Sequence, residues 1–387
     1  KTQSGSPRKE DVWSATRGWP KTVCFYEGRL VFGGSEAKPQ SVFLSKSGDF
    51  FNFDTEDTDD DDGIFATISS RKLNDIVDVY PGRNLQIFTS GAEFALTSRP
   101  VTPANIQITP QTAHGASNVQ VEDVDGSTIF VDRYGKSLLT FLYSFNEDAY
   151  TSNDRSVLAS HLINQPQSMA LLKGTASDDA NWLVIANFDG DVTVLNTLRS
   201  QDINGFTNWT TSNGKVRRVA AVADDLYFLV SRTDPDDSTT ITSTTIERWD
   251  FDAFLDSSVS TYGYDASTGR MYDDDLAHFV GQTVTVKALW DTTGREAGVN
   301  YGYVYPEREV FNDATFGPYI ILEESEMLGQ DIIYDIGFTY TPRIKTMPLN
   351  TNIGSGENSM RLKKIIRMNL RVFDTYGLHI NGYPLAI

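Results

Sequence analysis

The sequence predicts an all-β protein: a β-propeller-like array of four-stranded units with one or more additional small β domains. Three observations predict it. The chain is 12% aromatic and carries 29 Gly and 14 Pro, a mix that suits pleated, half-buried surfaces joined by many tight turns. Short apolar runs alternate with turn pairs such as Glu27-Gly28, Pro81-Gly82, Asp125-Gly126 and Asp189-Gly190. The order of runs and turns recurs at intervals of roughly 45 to 55 residues, within the spacing of propeller blades.

The first unit opens with residues 22–34, two strands around Glu27-Gly28, followed by a pair at 41–45 and 50–53 around Ser47-Gly48-Asp49. The second has strands at 76–80, 85–89 and 94–97, and the third at 119–121, 128–131 and 137–143. The fourth has 168–172, 182–186 and 192–195, and the fifth has 218–222, 226–231 and 245–251, with a turn at Asp224-Asp225. One such sheet cannot bury both faces alone, whereas sheets stacked radially can. Two β-sandwiches in tandem are the competing architecture. Helical signals are few; residues 153–163 carry one, with Ser152 or Asn153 as its cap. The expected organisation is therefore blades over 1–255, a small β module or insertion over 256–330, and a C-terminal β segment over 331–387. That last segment completes the propeller or forms a platform. Its long strand at 361–373 carries most of the local positive charge.

The formal net charge is −19, from 52 acidic and 33 basic residues. Such a surface repels nucleic-acid phosphates and anionic membranes, which argues against a sequence-reading DNA binder. Cys24 is the single cysteine, so no intrachain disulfide forms. Its run Val23-Cys24-Phe25-Tyr26 marks it as a small buried hydrophobe. No stretch of about 18 apolar residues is present to span a membrane as a helix. No signal peptide is visible, and a chain opening at Lys1 is expected to be a segment of a longer polypeptide or a processed product.

Catalytic spacing is not found. His114, His161, His278 and His379 lie far apart and in no zinc-binding pattern. Neither a GxSxG elbow nor a GxxxxGK[ST] loop occurs. The run at 54–63 superficially suggests a calcium loop. Aligning the calcium-loop glycine with Gly63, however, puts Thr58 and Ser69 where carboxylates are required. A solvated acidic loop is the expectation, with Asp57, Asp59, Asp60, Asp61 and Asp62 as weak candidate ligands for Ca²⁺ or Mg²⁺. Asp and Glu are too numerous for any glycosidase pair to be nominated. Asn208-Trp209-Thr210 matches a glycosylation acceptor, a pattern short enough to arise by chance. Trp13, Trp19, Trp182, Trp209, Trp249 and Trp290 are expected to pack blade against blade. No catalytic residue and no cofactor is expected.

Three groups of residues carry a resemblance. The first is Arg17-Gly18-Trp19-Pro20 followed by residues 23–34 and 39–53. The second is 205–211, then 219–222 and 225–232, then Ile246-Glu247-Arg248-Trp249-Asp250 and 255–259. The third is Thr346-Met347-Pro348-Leu349 with Lys363, Lys364 and Arg367. Together, and in this order, they resemble the nozzle protein, or tail tubular protein B, family of short-tailed bacteriophages, across nearly the whole chain.

The resemblance implies a structural virion protein rather than an enzyme: a β-propeller protomer in a homo-oligomer, a hexamer, at the distal end of the tail. Its implied partners are an adaptor and other tail proteins. The host cell surface is a further implied contact. Viral DNA would pass through the lumen without specific binding, and no part would insert in a membrane. Assembly would take place in the host cytoplasm. Lys363, Lys364 and Arg367 would then face a neighbouring subunit or tail protein. An acidic wall suits a conduit, because each wall cation would release counterions and add affinity for DNA. The alternative expectation is a tail-associated receptor- or glycan-binding propeller, with or without depolymerase activity. A cellular peptide-binding scaffold accounts for the repeats but not for the ordered stretches.

Overall fold

The computed structural model describes residues 12–55, 59–70, 73–174, 180–198, 201, 203–233, 241–250, 253–291, 304–345, 367–371 and 378–385. They fall into two units, Lys1–Tyr340 and Thr341–Ile387. The larger unit begins with four antiparallel meanders of four strands each, every one ordered as in the chain. The first sheet is β1 (Thr22–Tyr26), β2 (Arg29–Gly33), β3 (Ser41–Leu44) and β4 (Ile64–Thr67). The second is β5 (Ile76–Pro81), β6 (Leu85–Thr89), β7 (Glu93–Leu96) and β8 (Ile108–Thr112). The third is β9 (Glu122–Val124), β10 (Ser127–Val131), β11 (Leu138–Ser144) and β12 (Ala149–Asp154). The fourth is β13 (Ser168–Leu172), β14 (Asn181–Ala186), β15 (Val192–Leu198) and β16 (Ile203–Trp209). The fifth sheet has three strands, β17 (Gly214–Val222), β18 (Asp225–Thr233) and β19 (Ile241–Arg248).

The second, third and fourth sheets each bury one face against the sheet before and the other against the sheet after. Ile87 packs with Val31 and Leu44 of the first sheet. Its neighbour Phe88 points the other way, onto Phe130 and Phe141 of the third. Likewise Leu183 and Ile185 meet Ile129 and Leu138 of the third sheet, while Val184 and Ala186 meet Val216 and Phe228 of the fifth. Strand side chains alternate faces, so a middle strand buried on both sides must be a continuous apolar run. Such runs were the primary sequence signal. First strands neighbour one another, β1 beside β5, β9 beside β13 and β13 beside β17. Stacked meanders sharing a first-strand side make the array propeller-like.

The expected hairpin turns have a clear backbone cause. Tyr26 pairs with Arg29, leaving Glu27 and Gly28 at φ 45° and 71°. Val124 pairs with Ser127 around Asp125 and Gly126 at φ 52° and 78°. Two left-handed residues match the twist of a hairpin, and Gly adopts that region without steric cost. At the fifth sheet, Val222 pairs with Asp225 and the left-handed residue is Ala223, one position ahead of the expected Asp224-Asp225 turn.

Several expectations are corrected. Residues 50–53 are turn and irregular chain, because Lys46 and Asp49 close a tight bridge and the Lys46 amide donates to the Asn52 carbonyl. The fourth strand is instead β4. Residues 153–163 do not make the expected helix. The chain is strand through Asp154, and only Ser160–Leu162 turns as a 3-10 helix. Asp154 accepts hydrogen bonds from the Ser156 amide and hydroxyl, and the buried Ser156 hydroxyl accepts from the Leu138 amide. Those bonds hold the segment to β11 and leave Leu158 85% exposed. The strand expected at 119–121 begins at Glu122.

A smaller β module follows. It comprises β20 (Asp256–Tyr262), β21 (Arg270–Tyr272), β22 (Thr283–Asp291), β23 (Arg308–Glu309), β24 (Phe311–Asp313), β25 (Gly317–Ile321) and β26 (Ile332–Phe338). Its sheets are ordered β20-β26-β22-β23 and β21-β25-β24. Met271, Leu276, Phe279, Val286, Tyr334 and Ile336 form its core. The central strand β26 lies beyond the boundary placed at residue 330, so the module extends to the end of the first unit at Tyr340. The described part of the second unit holds the hairpin β27 (Leu378–Ile380) and β28 (Tyr383–Leu385), turning at Asn381-Gly382. Of the strand expected at 361–373, only residues 367–371 are described, and they lie outside any strand. Among the described residues, no helix is long and apolar enough to cross a membrane.

Candidate functional site

The acidic loop folds around a cation supplied by the protein itself. Arg29, 2% exposed, donates through its guanidinium to the carbonyls of Ser45 (2.7 Å), Asp60 (2.8 Å) and Asp62 (2.6 Å). The Asp62 carboxylate pairs with the Lys46 ammonium and accepts from the Asp59 amide. These contacts hold the Asp62 carboxyl below its usual range, with the Lys46 hydrogen bond the largest cause. The loop ends meet where the Gly63 amide donates to the Asp54 carbonyl at 2.9 Å. A Cβ on Gly63 would lie 2.6 Å from that same oxygen, which explains the glycine without a bound metal. Asp57 lies outside the described residues. Among the described residues, no group of three or more His, Cys, Asp or Glu is placed to hold a metal ion.

A second polar cluster joins the fifth sheet to the module, and sequence reasoning missed it. Arg232 is fully buried in β18. It forks onto Glu247 of β19 at 2.7 and 2.9 Å and donates to the Ser212 carbonyl at 2.6 Å. Asp256, the first residue of β20, accepts from the Ser212 amide at 2.7 Å and the Thr211 hydroxyl at 3.0 Å. Burial raises the Asp256 carboxyl above its usual range despite these donors and Arg232. Ser257 sits at φ 57° where β20 shifts register against β26. Its hydroxyl lies 3.2 Å from His278 Nε2 and 3.3 Å from Glu247. His278 Nδ1 faces the Asp275 carbonyl at 2.8 Å, so Nδ1 carries a proton, and the single Ser257 hydroxyl proton serves either the Glu247 carboxylate or Nε2 at a time. Burial lowers the His278 pKa, which favours the neutral ring. The arrangement is an ionic clasp. No sequence motif announces it, because its members come from five separate segments.

Buried carboxylates also seam the blades. Asp78 of β5 accepts from the Val79 and Val121 amides, both at 2.9 Å, and from the Thr22 hydroxyl. Glu93 is fully buried and accepts from the Gly115 amide at 2.7 Å, the His114 amide and the Thr112 hydroxyl. Burial, and then the Asp78 charge, push the Glu122 carboxyl up to about 7. The Cys24 thiol is half-buried and pushed up to about 12, chiefly by burial.

The tryptophans are distributed unevenly. Trp13 meets Phe32, Phe43 and Phe53 edge-on, with ring centres 5.1 to 5.6 Å apart. Trp209 stacks on Trp249 at 4.3 Å, with Trp182 edge-on to both. Trp19 is 66% exposed, so it does not serve as packing within the chain. The Trp290 side chain lies outside the described residues. Residues 346–349, Lys363 and Lys364 do so as well, while Arg367 is exposed.

No family model and no curated protein matches the chain. Solved structures do. A structure of YCF48 bound to D1 peptide is 11% identical, at a TM-score of 0.33 over 61% of this chain and 71% of that one. A nidogen/laminin complex is 11% identical, at 0.33 over 58% and 79%. A luciferin-regenerating enzyme is 8% identical, at 0.26 over 58% and 89%. The propeller-like, all-β architecture stands on the sheet order and the shared cores.

Proposed function

We propose that this chain is a structural component of a bacteriophage tail nozzle, a homo-oligomeric ring through which the viral genome is ejected. The carrying observation is the ordered resemblance. Its first group falls on the first sheet and the chain leading into it, and its second on β16 to β20. The two ends of the array thus carry the similarity. Those ends also expose apolar side chains: Val23 and Phe25 on β1 at 57% and 61%, Val222 on β17 at 62% and Ile246 on β19 at 76%. Apolar surface of this kind suits contact with other copies or tail proteins. The net charge of −19, multiplied round a ring, disfavours phosphate binding and suits DNA passing without specific contacts. In this reading the protein resides in the tail of the virion after assembly in the host cytoplasm, with adaptor and tail proteins as partners. Native mass spectrometry and electron microscopy of the intact protein test it. A cyclic homo-oligomer, six-membered by the family resemblance, is expected. A monodisperse monomer at micromolar concentration sinks the proposal.

A further inference from the structure

A cavity of about 200 Å³ opens between the third and fourth sheets. Its polar lining is Asp125, Ser127, Arg155, Thr197 and Asn204, and aliphatic side chains including Ile129 and Leu195 form the rest. The volume falls below the roughly 300 to 1,000 Å³ of drug-sized sites, leaving room for one small ring. The Arg155 guanidinium has no hydrogen-bond or ion-pair partner among the described residues. Arg29, Arg232 and Arg308, by contrast, are held by carbonyls or carboxylates. Asp125 is fixed at the turn before β10, where it accepts from the Asn181 amide group of β14 at 2.7 Å. That bond ties the two sheets together beside the cavity.

We propose that this cavity binds one ring of a uronate-type sugar, with Arg155 taking the carboxylate. A guanidinium offers two parallel N–H donors that match a carboxylate, which a neutral sugar lacks. Thr197 and Asn204 supply donors and acceptors for ring hydroxyls. The Asp125 carboxylate beside the cavity repels a second negative charge, so a monoanionic sugar is preferred over a sugar phosphate. Ile129 and Leu195 meet the C–H face of the ring. The proposal is independent of the nozzle reading: a ring-forming protein that ignores uronates retains the one, and a monomer that binds them retains the other.

The test is saturation-transfer NMR on the intact protein with glucuronate, galacturonate, glucose and acetate. At least one uronate is expected to bind with Kd of the order of 1 mM, with glucose and acetate at least about tenfold weaker. Arg155→Gln is expected to abolish the difference between uronate and glucose. Arg155→Lys, which keeps the charge without the fork, is expected to fall between the two. Arg155 is exposed, so both variants should melt with the parent. Equal binding of uronate and glucose overturns the assignment. So does uronate binding unchanged in Arg155→Gln, and so does the lack of any uronate signal at about 50 mM, well above that Kd.

Discussion

Arg232 shows how one buried charge organises its surroundings. Its guanidinium is wholly removed from solvent, and Glu247, Asp256 and the Ser212 carbonyl all converge on it. Removing one member of a buried pair strands the other, which costs far more than the pair itself contributes. Arg232→Met should therefore lower the unfolding free energy by about 3 kcal/mol, read as a lower urea midpoint at an unchanged slope. Full stability in that variant would show that Glu247 and Asp256 find other partners. Glu122 makes a different prediction. Its carboxyl is raised to about 7 in the fold, against about 4.3 in an unfolded chain. The folded state thus holds the proton more tightly, so this contribution is complete below the unfolded value and lost as pH rises through 7. Glu122→Gln should flatten the melting temperature between pH 5 and 7 and raise it at pH 8. Parallel pH profiles for parent and variant would rule that out.

Individual elements depend on a few backbone positions. Gly115 lies between β8 and β9 at φ 80°, and a Cβ there would come 2.5 Å from the Ser90 carbonyl oxygen. Its amide donates to the buried Glu93. Gly115→Ala combines a left-handed backbone with a backbone clash, and should destabilise by about 2 kcal/mol; thermal unfolding measures it. Of the strands, the middle ones were the most legible. The run at 182–186 is apolar at every position because Leu183 and Ile185 serve one interface while Val184 and Ala186 serve the other. Fourth strands such as β8 and β12 were not legible. Their residues, ITPQT and AYTSND, half-exposed or exposed apart from the buried Tyr150, carry neither apolar run nor clean alternation. The acidic loop was half legible. Its charge marks it as solvated, but the buried Arg29 at its base is sixteen residues from Ser45 and over thirty from Asp60 and Asp62.

At the scale of the whole molecule, the array ends are the surfaces to test. Among the described residues no strand pairs with the outer edge of β19, and an unpaired edge with exposed β-branched residues is a template for association. Combining Phe25→Ser with Ile246→Lys should shift the proposed ring towards monomer in native mass spectrometry while leaving the circular dichroism spectrum unchanged. A ring that survives both substitutions places its contacts elsewhere.

The all-β class, most of the tight turns and the repeat of sheet units were determined by the chain alone, because strand burial on two faces and left-handed turn residues are local demands written into neighbouring positions. Which sheets share a core, where the module ends and how Arg232, Glu247, Asp256 and His278 come together were decided only in three dimensions. Those contacts join residues tens of positions apart, and a buried ion pair or a cavity leaves no periodic mark on the segments that build it. The cavity beside Arg155 belongs to the same class: its walls come from β9, the turn after it, β10, β15 and β16 together with the residue after β12, and no one of those segments reveals that this guanidinium will face a pocket.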